Sequence, residues 1–592
     1  MSDSAALGQL PEWDLSDLYP APDSPQLTRD LDAAEADARK FAEAYRGRLA
    51  EIDGTALGTA VAEYERIEEV LGRVSSYAQL VYSGNVSDPK IGRFYQAMVE
   101  RVNAVGTHLI FFTLELNRVE DATLDAQLAA PELARYAPWL RDVRAFRAHD
   151  LAEEMERMLY ERSVAGRSAW VRLFDQTIAG LRFPFRGKEM TETEVLNLMS
   201  DPDGSKRKDA AESVSKVFNA NVSTFALITN TLAKDKEVDD RWRGYARPIS
   251  YRNLSNYVED PVVDALVSAV REAYPRLSHR YYALKAKWFG VDALDYWDRN
   301  APPPDQDDRT VSWDEARETV LGAYGDFSPD LANLGKRFFD NAWIDAPARA
   351  GKSSGAFAHP TVPSAHPYLL LNYQGKVRDV MTLAHELGHG VHQVLAGGQG
   401  QLMSGTPLTL AETASVFGEM LTFQAMLRAT TDPVRRRAML ASKIEDMINT
   451  VVRQIAFCQF EIQLHDQRRK GELTPDEIAD IWMGVQVESL GPALRLHDSY
   501  RVFWAYIPHF IHSPFYVYAY AFGDCLVNSL YAVYQDAQGG FAAKYLDMLR
   551  AGGSKRHQEL LAPFGLDAAD PAFWNRGLGV LEGLIDELDA AL

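Results

Sequence analysis

Apolar residues recur at helical spacing along most of the chain. From residue 24 to about 165 the pattern predicts helix after helix, over 31–49, 56–81 and 91–116, with breaks at Gly54, Gly84-Asn85 and Pro131. Few β-branched runs interrupt it, so an α-helical lobe is expected. Residues 181–191 alternate apolar and polar around Arg186-Gly187 and predict a small hairpin at a lobe boundary. Helical periodicity resumes over 193–236, gives way to a polar and aromatic loop over 239–256, and returns over 262–289. An acidic, proline-rich connector at 301–308 and a loop over 343–355 precede residues 366–373, which read as a strand. Residues 377–396 form the next helix, closed by Gly397-Gly398, and from 408 the chain reads as helices to its end.

Composition narrows the class. At 592 residues the chain exceeds the size of a single core, so more than one lobe is expected. Its 46% hydrophobic and 24% charged residues are ordinary for a soluble globular protein. The formal charge of -21 argues against nucleic acid and anionic membrane as partners. Cys458 and Cys525 lie in apolar stretches, which predicts buried thiols in a reducing compartment. No run is long and apolar enough to span a membrane, and residues 1–7 carry no signal-peptide pattern. The expected location is cytoplasmic.

The chemistry concentrates in His385-Glu386-Leu-Gly-His389, within the 377–396 helix. Positions four apart share a helix face, so both imidazoles can meet one metal ion, at about 2.0–2.1 Å if it is zinc. Glu386 sits one step round, placed to take a proton from water without itself coordinating. Val380, Leu383, Ala384, Leu387, Val391 and Val394 form the apolar stripe. Gly388 and Gly390 cost this helix about 1 kcal/mol each relative to Ala. Close approach of a neighbour or a substrate would explain them. His392 reads as a packed residue beside the site.

A hydrolytic zinc site usually has three protein ligands and one open position. Glu412 and Glu419 lie two turns apart on one face of the next helix. Thr409-x-x-Glu412 also reads as a capping box, but that leaves Glu419 unexplained. Glu412 is therefore the expected ligand, and Glu419 the carboxylate that orients a ligand histidine. Further on, His509-Phe-Ile-His512-Ser-Pro-Phe-Tyr516-Val-Tyr518-Ala-Tyr520 is dense in aromatics, with Ser513-Pro514 as N-cap and first residue of a helix. Its hydroxyls could stabilise an oxyanion.

Together these segments resemble the oligoendopeptidase F group of zinc metallopeptidases, which is related to thimet oligopeptidase. The resemblance also includes Trp13-Asp-Leu-Ser-Asp-Leu-Tyr19, Leu410-Ala-Glu412-Thr-Ala-Ser, Ile507-Pro-His509 and Phe573-Trp574. It implies a mainly α, two-lobed zincin-type fold with a small β-sheet near the active site and a deep central channel. It implies an N-terminal helical region over 1–115, an oligopeptidase F N-terminal-type domain over 116–190 and a catalytic domain over 191–592. Carried across by position, His385, His389 and Glu412 hold one Zn²⁺ per chain and Glu386 is the general base. Which of His509, His512, Tyr516 and Tyr518 serves the oxyanion or the substrate stays open.

The expected activity is internal cleavage of short unstructured peptides by a monomer or weak homo-oligomer. The peptide is expected to pair with an edge formed by Tyr368–Tyr373, with Tyr368, Leu370 and Asn372 as substrate contacts. An exopeptidase would need a fixed group to capture a terminus, and none is marked. A non-catalytic helical peptide-binding protein has no use for Glu386.

Overall fold

The computed structural model describes residues 7–163, 165–303, 309–537 and 539–592. These residues are mainly helical, with three small sheets among them. They form two compact units, each assembled from separate stretches of chain. One comprises Met1–Arg147, Asp308–Ala429 and Asp536–Leu566, the other Ala148–Asp307, Thr430–Gln535 and Asp567–Leu592.

The first unit opens with the helices Pro25–Tyr45, Gly54–Gly84 and Pro89–Gly106. The single helix expected over 91–116 is instead two, the second being Ile110–Arg118. Thr107 Oγ1 donates to the Ala104 carbonyl at 2.7 Å and ends the first. The part that carries the expected site runs α1 (Trp313–Phe327), α2 (Pro329–Asp340), β1 (Ile344–Pro347), β2 (Phe357–His359), β3 (Tyr368–Tyr373), α3 (Val377–Ala396) and α4 (Thr413–Ala429).

The sheet order is β1-β3-β2. β3 pairs parallel with β1 (Ile344 opposite Leu369) and antiparallel with β2 (Ala358 opposite Leu369). The expectation of an edge at Tyr368–Tyr373 is therefore corrected: this strand is the middle one. Its run Tyr-Leu-Leu-Leu is buried on both faces, as a central strand must be. The outer side of β1 is covered, because Ala346 N–H donates to the Pro11 carbonyl at 2.9 Å. β2 is left as the edge. Asp345, wholly buried on β1, accepts from Lys352 Nζ at 2.9 Å and from Arg349 at 2.6 and 2.7 Å, which ties the 349–355 loop to the sheet.

α3 begins where Asp379 accepts the N–H groups of Gln374 and Lys376 at 2.9 and 3.0 Å. Its stripe of Val380, Leu383, Ala384, Leu387 and Val391 is wholly buried, and each of the larger side chains contributes about 1.5–3 kcal/mol.

In the second unit the 181–191 region forms the expected hairpin, Phe183 opposite Met190. The loop expected over 239–256 is largely helical: Val222–Arg243 runs on to a left-handed Gly244, and Ser250–Ser255 follows. Its polar residues brace the helix end, Lys236 with Asp240 at 2.7 Å and Arg243 with Asp239 at 2.9 Å. The connector at 301–308 lies partly outside the described residues, as does the start of the chain. Cys458 and Cys525 are buried and unpaired. No helix among the described residues is long and apolar enough to cross a membrane.

Candidate active site

The two glycines inside α3 mark where its neighbours press in. A Cβ on Gly388 would lie 2.4 Å from the Ala414 carbonyl oxygen, and one on Gly390 would lie 2.7 Å from the Phe338 ring. Their cost in helix propensity admits the backbone of α4 at Gly388 and the Phe338 ring of α2 at Gly390. That approach carries Glu412 and Glu419 to the histidines.

His385, His389 and Glu412 offer one donor atom each, all within 4.8 Å of one another. Glu412 Oε2 lies 3.4 Å from His385 Nε2 and 3.5 Å from His389 Nε2. Ligands at zinc distances in tetrahedral array stand roughly 3.3–3.4 Å apart, so the donor set fits one such ion. The other ring positions are held from behind. His385 Nδ1 lies 3.3 Å from Glu419 Oε2, and His389 is hydrogen-bonded to the backbone of Ala411. Such partners fix the tautomer that leaves Nε2 toward the centre. Ser415 Oγ donates to Glu412 Oε2 at 2.7 Å. Glu412 joins the short helix Leu408–Ala411 to α4 and does not occupy the third position of a capped helix, so the capping-box reading is set aside.

Protonation follows from burial and from these carboxylates. Burial lowers His389 to about 4, against the pull of Glu412, and lowers His392 to about 4 as well. For His385 burial acts downward too, but Glu419, Glu412 and Glu386 together raise it above its ordinary value. Glu386 is only 7% exposed. In the chain alone burial lifts its carboxyl to about 7, a lift that His385 opposes and Glu412 assists. The Ala358 N–H on β2 donates to that carboxylate. His392 packs with Nε2 3.4 Å from Thr406 Oγ1, on the wall of a 690 Å³ cavity that His389 and Gln393 also line.

The expected substrate contacts on β3 are corrected. Tyr368 is buried and donates to the Asp14 carbonyl at 2.9 Å, and Leu370 is buried. Asn372 Nδ2 is spent on the Ser353 and Gly355 carbonyls at 3.0 and 2.8 Å. A residue that motif reasoning missed is Ala358. Its pairing leaves N–H and C=O on the outer side of β2, toward Glu386 and Gln393.

The late aromatic segment belongs to the second unit. His509 Nε2 lies 3.3 Å from Tyr520 Oη, and Tyr516 and Tyr520 pack with ring centroids 5.3 Å apart. Burial, then Arg453, lowers the His509 imidazole. Tyr518 is corrected as a catalytic candidate: its ring is fully buried and its hydroxyl accepts from Asn256 Nδ2 at 2.9 Å. His512 turns the other way, its Nε2 2.7 Å from Asp175 Oδ1. The helix expected at Ser513-Pro514 starts only at Tyr518. Side chains replace its first turn: Glu461 Oε1 accepts the Phe515 N–H at 2.8 Å and Arg252 Nε donates to the Pro514 carbonyl at 3.2 Å, with Phe515 left-handed at φ 60°.

Residues 197–580 match the family described as peptidase family M3, and residues 115–183 match the one described as oligopeptidase F. Oligopeptidase PepF of Bacillus subtilis is 26% identical, over 100% of this chain and 90% of its own. An oligoendopeptidase F homolog of Borreliella burgdorferi is 24% identical, over 98% and 97%. The fold is that of the solved oligoendopeptidase F of Enterococcus faecium, with a TM-score of 0.70 at 21% identity and coverage of 96% and 97%.

Proposed function

The chain belongs to peptidase family M3, and from that membership we propose that it hydrolyses internal bonds of short, unstructured peptides with one zinc ion held by His385, His389 and Glu412. One observation carries the reading: three donor atoms converge within 4.8 Å of one another, with the buried Glu386 next to His385 in the chain. When bound, the ion supplies a Lewis acid that polarises a peptide carbonyl and acidifies a water.

The residues of the chain do the rest. Glu419 holds His385 by Nδ1, and the backbone of Ala411 holds His389. Glu386 takes the proton of the attacking water on its carboxylate and passes it to the leaving amine nitrogen. A carboxyl lifted toward neutrality by burial is suited to both steps. The peptide lies as an added strand on β2, exchanging main-chain hydrogen bonds with Ala358. Within the second unit, His509, Tyr516 and Tyr520 form a cluster of hydrogen-bonding side chains suited to a carbonyl oxygen.

The test is metal analysis of purified protein together with a quenched-peptide assay before and after chelation. About one zinc per chain is expected, with activity lost on chelation and restored by zinc. Protein without metal that no divalent ion activates would end the reading.

A further inference from the structure

Buried cations in this chain are paired as a rule. Lys285 Nζ lies 2.5 Å from Glu445, Lys352 Nζ 2.9 Å from Asp345, Arg207 2.7 Å from Asp298 and Lys236 2.7 Å from Asp240. Two arginines of the second unit, both half-buried, depart from this. Arg299 and Arg453 line one cavity of 210 Å³, and neither is paired with a carboxylate among the described residues. Arg299 reaches only Asn300 Oδ1 at 3.4 Å and Tyr500 Oη at 3.5 Å, both long. Arg453 has its Nε buried without a partner, and its guanidinium rests 4.9 Å from the centroid of the Phe457 ring. Burial, and then the charge of Arg299, both act against the charge of Arg453.

Two guanidiniums lining one cavity repel each other, and neither has a carboxylate partner among the described residues to offset its charge. An anion in the cavity would answer both. The planar, forked guanidinium matches a carboxylate in bidentate geometry. Leu196, Met199 and Trp297 supply apolar wall, which suits a carboxylate next to an apolar side chain better than a bare inorganic anion. We propose that this cavity is a carboxylate-binding site for a small carboxylic acid bearing an apolar side group. The C-terminus of a peptide and a free acid both present that chemistry.

Thermal unfolding of the full chain with N-acetyl-leucine and with N-acetyl-leucinamide tests binding without any assay of cleavage. The acid is expected to raise the unfolding temperature with concentration and the amide is not. Arg453→Met should be no less stable than wild type without ligand, since it removes an uncompensated charge. It should weaken binding of the acid about tenfold or more, and so should Arg299→Met. An equal response to acid and amide in the wild type, or undiminished binding of the acid in both variants, overturns the proposal. Cleavage then assigns the source, and this arm alone rests on the peptidase reading. A lower KM for a free-acid peptide than for its C-terminal amide, with the gap lost in Arg453→Met, marks the peptide terminus. Equal KM values, with the acid still bound, mark a free carboxylic acid.

Discussion

Glu386 accepts the backbone N–H of Ala358, so the acidic side chain of the metal-type helix is tied directly to the open edge of the sheet. The carbonyl of the same residue accepts from Gln393 Nε2 at 3.4 Å. Both outward groups of β2 are thus held by side chains of α3. On the proposed strand addition, a peptide arriving at this edge would exchange those bonds instead of adding to them, and would free the Glu386 carboxylate as it binds.

Glu386→Gln keeps an oxygen that can accept the Ala358 N–H, and removes no metal-type donor. It is expected to retain zinc and to lower kcat by about 10²–10⁴-fold. Metal content and turnover measured on one preparation check this. Turnover within about tenfold of wild type would place the base elsewhere.

Glu412→Ala and Glu419→Ala separate coordination from support. Glu412 meets both Nε2 atoms, whereas Glu419 meets Nδ1 of His385. The first variant should lose the metal. The second should bind it roughly 10–100-fold more weakly or lose activity on that scale. Titration with a competing chelator reads both, and the reverse order of losses would exchange the two roles.

How far this arrangement could be read from sequence depends on how local each signal is. His385, Glu386 and His389 are set by one helix's periodicity, so their shared face follows without tertiary knowledge. Gly388 and Gly390 announce that something approaches, but only the packed chain shows that it is the backbone at Ala414 and the ring of Phe338. The unbroken apolar run Tyr368–Leu371 carried the signal of a central strand, and reading it as an edge overlooked the missing alternation. Tyr518 could not be told from Tyr516, because a nearly all-apolar aromatic run has no polar face to set its phase. Arg299 and Arg453 are far apart in sequence, and their convergence exists only in the fold.

Glu461 gives a stability prediction away from the metal site. Burial raises its carboxyl to about 8, against the Phe515 N–H, Arg252 and Lys236, from an ordinary value of 4.5. The folded state therefore holds a proton that the unfolded state releases between these values. The resulting stability is full below the unfolded value and is lost as pH rises through the folded one, by at most a few kcal/mol. Glu461→Gln should match wild type near pH 5 and exceed it near pH 8, roughly the two ends of that window. Denaturant unfolding at both pH values measures the difference, and a variant whose advantage does not grow with pH contradicts the assignment.

The edge at β2 makes the last prediction, which concerns the substrate backbone. In this three-residue strand Phe357 and His359 flank Ala358, and only Ala358 sends its N–H and C=O to partners outside the sheet. Strand addition therefore concentrates main-chain recognition on one residue of the peptide. A peptide blocked at both ends should still be cut internally. N-methylation at the one backbone nitrogen facing the Ala358 carbonyl should raise KM about threefold to tenfold, the worth of one hydrogen bond. Methylation at the positions to either side should change KM by less than about twofold. A methylation scan of one fluorogenic peptide reads this directly. A flat response along the peptide would mean that no strand is added at β2, and strict dependence on a free terminus would mean that the enzyme trims ends instead of cutting within.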